Sequence, residues 1–113
     1  MSSDQGFVEF LADQMRAAGA ITYRKMFGDY TLYCNGKVIG LVCDNQLFIK
    51  PTEKGRDYMG RVVEAAPYPG AKAYYLIESE LEDQEWISDL VKITADSLPM
   101  PKKRKGKTIK NRK

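Results

Sequence analysis

The sequence predicts an α+β domain with a mainly antiparallel sheet packed by three helices. Segments with helical spacing of apolar residues flank a stretch, 21–50, in which short apolar runs alternate with turn residues. Asn35-Gly36 separates two of these runs, and Asn-Gly is a strong hairpin signal because both residues of the turn need positive φ. The expected order is α-β-β-β-β-α-β-α, a β-meander plus one later strand.

The first helix is expected over 4–18. Phe7, Leu11 and Met15 recur every four residues there and form one apolar stripe. Ser3 or Asp4 can cap its start, and a glycine at position 19 suits its end. A strand near 21–26 follows, with a turn at 28–29.

The next three strands are expected over 30–34, 37–43 and 46–50, with turns at 35–36 and 44–45. Counting outward from the turns pairs Leu32 with Ile39 and Leu41 with Phe48. One face of the sheet would then hold Tyr30, Leu32, Ile39, Leu41 and Phe48, and the other Tyr33, Val38, Val42, Leu47 and Ile49. Because both faces are apolar, we expect helices over one face and a second subunit over the other.

The C-terminal half predicts two further helices and a strand. A helix over 52–66 would begin at Thr52, and a Pro- and Gly-rich loop at 67–70 would lead to a strand at 74–77. Ser79 and Glu82 have the spacing of a capping box, which would open the last helix before Pro99 ends it.

Charge divides the chain into an acidic domain, 1–100, and a basic tail, 101–113, predicted to be disordered. The domain holds ten bases and fifteen acids, a net charge of −5, whereas the tail holds eight bases and no acid. Such a tail is typical of arms that contact nucleic acid without sequence preference, and also of inert solubilising segments. The candidate nucleic-acid contacts are Lys102, Lys103, Arg104, Lys105, Lys107, Lys110, Arg112 and Lys113.

Composition excludes several other classes. The longest strongly apolar run, 38–43, is far shorter than the roughly 20 residues that cross a bilayer, and the N-terminus has no secretory signal pattern. Without histidine, the chain lacks Ser-His-Asp and Cys-His catalysis and the commonest zinc ligand. Two cysteines fit a reduced, cytoplasmic protein. We therefore expect no catalytic residues, no metal and no cofactor.

Other candidate groups have a functional and a structural interpretation. Arg24 and Lys25, beside an aromatic residue, could contact a partner, or could belong to a strand whose Met26 or Phe27 packs into the core. Cys34 and Cys43 would face Lys37 and Gln46 rather than each other, which favours plain thiols over a redox pair or metal site. A carboxylate cluster could bind a cation or act in acid-base chemistry, but helix-dipole matching also explains it: Glu78, Glu80, Glu82, Asp83 and Glu85.

Several stretches, taken in order, resemble the TfoX N-terminal domain family, also called TfoX/Sxy. The resemblance covers roughly residues 5–98 and is most specific in Arg-Lys-Met-Phe-Gly at 24–28, followed by Leu-Tyr at 32–33 and Gly-Leu-Val at 40–42. Further matching segments are Phe-Val-Glu-Phe at 7–10, Leu-Phe-Ile-Lys at 47–50, Pro-Tyr-Pro-Gly-Ala-Lys at 67–72 and Tyr-Tyr-Leu-Ile-Glu at 74–78.

The resemblance implies a bacterial, cytoplasmic protein with a secretion-chaperone-like α+β fold, tied to the regulation of natural competence. Full-length members are regarded as transcriptional co-activators that act with the cyclic-AMP receptor protein, and they carry a second, helical C-terminal domain. We expect this chain to be a stand-alone N-terminal domain and not an enzyme. Its expected partners are a second copy in a homodimer, and a transcription factor or nucleic acid. The alternatives are a small-molecule binder or enzyme using the Tyr-rich sheet and the carboxylate cluster, and a chaperone-like protein binder.

Overall fold

The computed structural model describes residues 3–99 of the protein, and its sheet confirms the predicted α+β class. Neighbouring strands are all antiparallel, in the order β1-β2-β3-β4-β6-β5. Along the chain the elements are α1 (Gln5–Gln14), β1 (Ile21–Met26), β2 (Asp29–Cys34), β3 (Lys37–Cys43), β4 (Gln46–Ile49), α2 (Glu53–Met59), β5 (Glu64–Ala65), β6 (Tyr74–Ile77) and α3 (Gln84–Ser97).

Two-residue turns join the first four strands, and their residues have positive φ. The turns at 35–36 and 44–45 confirm the sequence prediction. The first turn is at 27–28, one residue earlier than predicted, because Asp29 pairs with the last residue of β1 and belongs to the ladder. Asn and Gly tolerate the left-handed region well, but here Phe27 adopts it.

An extra residue in β3 decides which side chains reach the core. Leu32 pairs with Gly40 and Tyr33 pairs with Val38, so Ile39 has no partner on β2 and forms a β-bulge. The predicted pairing of Leu32 with Ile39 is therefore wrong. A Cβ at position 40 would collide with a carbonyl oxygen of β4, so this close approach requires glycine.

The bulge also changes the predicted faces of the sheet. The face that meets the helices carries Tyr30, Leu32, Ile39, Val42, Leu47 and Ile49 into the core. Leu41 and Phe48 pair with each other on the opposite face, so the prediction that grouped them with Leu32 is wrong. We call this opposite side, which is turned away from α1 and α3, the open face.

Two helices cover the core face. Their buried apolar side chains are Val8, Leu11 and Ala12 from α1, Met15 directly after it, and Ile87, Leu90, Val91 and Ala95 from α3. The predicted 4–18 helix consists of α1 followed by a 3-10 turn at Arg16–Ala18. Among residues 3–99, none of the helices combines the length and the apolar character that crossing a bilayer requires.

The second helix is shorter than predicted. Thr52 caps it as expected, since its Oγ1 accepts a hydrogen bond from the Gly55 backbone N–H at 3.0 Å. It ends at Met59 because Gly60 adopts φ 76°, which a helix cannot contain. The rest of the predicted 52–66 segment includes β5, a two-residue strand that the sequence did not indicate.

The last helix begins after a different cap from the predicted one. The Asp83 carboxylate accepts a hydrogen bond from the Trp86 backbone N–H at 3.1 Å, so α3 starts directly after Asp83. The predicted capping box of Ser79 and Glu82 does not open this helix, because 81–82 form a turn ahead of it.

Candidate interaction surface

The turn between β1 and β2 places an aromatic ring in solvent. Phe27 is 97% exposed and Met26 is 45% exposed, so the prediction that one of them packs into the core is wrong. Phe27 also has φ 53°, a conformation that costs a residue with a bulky side chain about 1–2 kcal/mol. One sequence signal could have identified Phe27 as a turn residue: it stands directly before Gly28, and both residues of a two-residue hairpin turn need positive φ.

Hydrogen bonds from the N-terminal segment hold this turn in place. The Ser3 backbone N–H donates to the Gly28 carbonyl at 2.9 Å, and Ser3 Oγ donates to Asp29 Oδ1 at 2.9 Å. The same carboxylate oxygen accepts the Asp44 backbone N–H at 3.2 Å, and the Asn45 backbone N–H donates to Ser3 Oγ at 3.1 Å. The tips of two neighbouring hairpins are thus tied together, which fixes the backbone that presents the exposed aromatic ring.

A cavity of about 330 Å³ lies beside this turn on the open face. Its lining is mostly apolar and includes Met26, Phe27 and Leu41, together with Tyr68 and Tyr74 from the connection into β6 and from β6 itself. Burial raises the pKa of Tyr74, and the neighbouring Tyr68 adds to the rise. We call Met26, Phe27, Tyr68 and this cavity the Phe27 surface.

The predicted partner contacts Arg24 and Lys25 lie on β1, in the strand that leads to the Phe27 surface. Both side chains are exposed, and neither forms an ion pair with another residue in the range 3–99. As successive residues of a strand, they point to opposite faces of the sheet. The structure therefore places two exposed cations beside the exposed apolar surface.

The two cysteines are buried and unreactive in character. Cys34 lies opposite Lys37 and Cys43 lies opposite Gln46, as the sequence predicts. Burial raises the pKa of both thiols, that of Cys43 to about 11 with help from nearby carboxylates. At neutral pH neither cysteine offers the thiolate that nucleophilic or redox chemistry needs.

The carboxylate cluster leads into α3 and lies apart from the cavity. Asp83 is engaged as the helix cap, and none of the five members lines the cavity beside Phe27. In the part of the chain that the structure describes, no three metal-ligating side chains come together in a group that could hold a metal ion. The cluster therefore offers helix stabilisation but no assembled cation site within that range.

The fold and this surface define the class: a small α+β domain with a six-stranded antiparallel sheet and an exposed aromatic residue at a hairpin tip. Comparison with known families identifies the domain further. The TfoX N-terminal domain matches residues 13–98, most of the chain, so the chain belongs to the TfoX N-terminal domain family. This confirms the resemblance seen in the sequence.

The chain is also similar to a protein of Spirochaeta aurantia described as an uncharacterized 12.7 kDa protein in the trpE 5′ region. The two are 39% identical over 108 residues, which cover 96% of this chain and 94% of the relative. The aligned region therefore extends past residue 98, where the family match ends, and into the basic tail. The candidate tail contacts, from Lys102 to Lys113, lie outside the described residues.

The substitution Phe27→Asn is expected to raise the free energy of unfolding by about 1 kcal/mol. It creates the Asn-Gly pair already present at 35–36, which adopts positive φ readily, and it removes a ring that contacts mainly solvent. Urea unfolding of the two proteins measures the difference. Phe27→Ala is the control, because it removes the ring but keeps a poor turn residue, and it should give no gain. A destabilised Phe27→Asn variant would show instead that the ring supports the fold.

Proposed function

We propose that this chain is a non-catalytic interaction module of bacterial gene regulation, acting in the cytoplasm. The folded domain binds a transcription factor through the Phe27 surface, and the basic tail contacts nucleic acid without sequence preference. Membership of the TfoX N-terminal domain family supports the regulatory class, because the family includes competence regulators.

The exposed and strained Phe27 is the observation that carries the proposal. The folded domain gains little stability from a phenylalanine that is 97% exposed with φ 53°. Aromatic residues are enriched among those that supply most of the energy in protein interfaces. A partner that covers the ring, Met26 and Tyr68 would bury apolar area that the isolated domain leaves in water.

The division of charge supports separate roles for the two parts of the chain. The domain, 1–100, has a net charge of −5, which disfavours contact with phosphates. The tail, 101–113, has eight bases, and Lys and Arg release counterions when they neutralise phosphates. The aligned region shared with the Spirochaeta aurantia protein reaches into this tail.

The alternative functions have weaker support. A small-molecule binder or enzyme that uses both the tyrosines and the carboxylates would need them to converge on one pocket. The carboxylate cluster does not line the tyrosine-lined cavity, and Glu78 and Glu80 line a separate cavity of about 240 Å³. A chaperone-like binder would use the same Phe27 surface, and the identity of the bound protein distinguishes it from a regulator.

A photoreactive phenylalanine derivative placed at position 27 in native cells is expected to crosslink to a DNA-binding transcription factor. The reason is that the partner covers the ring at this position. Mass spectrometry of the adduct identifies the partner, and the same derivative at Lys54, an exposed position on α2, is the control. Equal adducts from both positions, or a captured protein with no role in transcription, would contradict the proposal.

Removing the tail is expected to abolish most of the affinity for DNA. Eight phosphate contacts give a slope of log affinity against log salt of about −7, and the 1–100 truncation should lose this slope. Fluorescence anisotropy over a salt series measures both chains, with circular dichroism to verify the fold of the truncation. Phe27→Ala in the full chain should leave DNA affinity unchanged. Equal affinities of the full and truncated chains would remove the tail from the mechanism.

The homodimer expected from the sequence stays a prediction, and we place it on the half-buried part of the open face outside the Phe27 surface: Tyr33 and Val38. These side chains are uncharged, so a second copy could cover them without burying a charge. Sedimentation equilibrium at micromolar concentration should show a dimer, and Val38→Asp should shift it to monomer, whereas Lys54→Asp should not. A wild-type chain that sediments at 12.8 kDa would contradict the dimer.

A further inference from the structure

The outer edge of β1 is open from Thr22 to Met26, whereas Ile21 at its start is buried. β1 is the first strand in the sheet order and pairs only with β2, so one row of its backbone groups faces away from the sheet. α1 contacts β1 from the core face, where Glu9 Oε2 accepts a hydrogen bond from Tyr23 Oη at 3.3 Å. Within 3–99, no strand or loop adds backbone hydrogen bonds to this edge.

The ladder identifies which groups are free. The Asn35 backbone N–H donates to the Ala20 carbonyl at 2.9 Å, in the same register that pairs β1 with β2. Because hydrogen-bonded pairs alternate in an antiparallel ladder, every second residue onward from position 20 bonds to β2. The residues between them turn both N–H and C=O away from β2, and beyond the buried Ile21 these are Tyr23 and Lys25.

This pattern suits a polypeptide better than a nucleic acid. Along the edge, one free N–H donor and one free C=O acceptor occur together about every 7 Å. The backbone of another β-strand presents its own donors and acceptors at the same spacing. Phosphates offer acceptors only and could satisfy the two cations but not the outward carbonyls. An added strand would also end beside Met26, next to the Phe27 surface.

Charge selects the kind of strand. Arg24 and Lys25 are exposed on opposite faces of β1 and are unpaired among the described residues. A second copy pairing antiparallel over the whole strand would set Lys25 opposite Ile21 and Arg24 opposite Thr22, so neither cation would meet an opposite charge. The two Arg24 side chains would also be diagonal neighbours on one face, where like charges destabilise a sheet. The basic tail is disfavoured for the same reason, whereas a segment with two successive acidic residues would match both cations.

We propose that the β1 edge accepts an extended acidic segment of the partner as a seventh strand. This inference rests on the proposed function and specifies the segment of the partner that binds: two adjacent carboxylates flanked by apolar or β-branched residues. The carboxylates face Arg24 and Lys25, and the flanking residues contact Tyr23 and Met26. Edge Lys and Arg also protect the free strand against non-specific pairing, so the same residues keep the edge open and select its occupant.

The test uses the full chain and a capped synthetic peptide, Val-Glu-Glu-Val-Thr-Val, with Val-Lys-Lys-Val-Thr-Val as its matched control. Residue-resolved amide hydrogen exchange by NMR separates the edge from any binding of the peptide to the basic tail. In the free protein, amides that bond to β2 should exchange slowly and the outward ones fast. Saturating acidic peptide should slow the amides of Tyr23 and Lys25 by about tenfold or more, and the basic peptide should not.

Two variants separate backbone pairing from charge. Lys25→Pro removes an outward N–H but no hydrogen bond to β2, and it should weaken peptide binding by about tenfold. Lys25→Ala keeps that N–H and removes only the charge, so it should weaken peptide binding by about threefold. The double variant Arg24→Glu/Lys25→Glu should reverse the preference and bind the basic peptide. It remains informative even if Lys25→Pro fails to fold.

Several results would overturn the proposal. One is unchanged exchange of the outward β1 amides at saturating acidic peptide. The others are equal protection of these amides by both peptides, and their protection by a short single-stranded DNA instead of the acidic peptide. Slow exchange of the outward amides in a free protein that sediments as a dimer would assign the edge to a second copy. Crosslinking from position 27 does not depend on amide exchange at the β1 edge. If it captures a transcription factor while the peptide fails to protect the edge amides, the proposed function stands and only the added strand is ruled out.

Discussion

A single extra residue in β3 determines how the rest of the domain is arranged. With strict alternation, Ile39 and Val42 would lie on opposite faces of the sheet, and the bulge brings both into the core. Two helices can then cover one continuous apolar face. Leu41 and Phe48 remain on the other face, and the cavity with its hairpin tip lies there. The position of the candidate surface therefore follows from the register of one strand pair.

Local signals in the sequence are sufficient to predict most helices, strands and turns, but not the contacts between them. The turn at 35–36 and the cap at Thr52 depend on the chemistry of a few neighbouring residues, and both are predicted correctly. The bulge depends on the close approach of Gly40 to β4, a contact between strands that no periodicity displays. β5 is two residues long and exists through its pairing with β6, so propensity alone does not reveal it.

The candidate surface is predicted only in part, for a related reason. Arg24 and Lys25 stand out as charges beside an aromatic residue, and the structure leaves both exposed. Phe27 is missed because apolar residues near strand ends usually pack inward. Its exposure follows from the pairing of Asp29 with Met26 and from the hydrogen bonds of Asp29, which are contacts between distant parts of the chain.

The Ser3 contacts have a practical consequence for handling the protein. Because Ser3 bonds to Gly28 and Asp29, any sequence fused ahead of it emerges next to the aromatic hairpin tip. An affinity tag or fluorescent protein at that end would stand over the surface through which we expect recognition to occur. Reporters, surface immobilisation and display linkages are therefore best joined at an exposed position on α2 such as Lys54, which leaves both the hairpin tip and the basic tail unmodified.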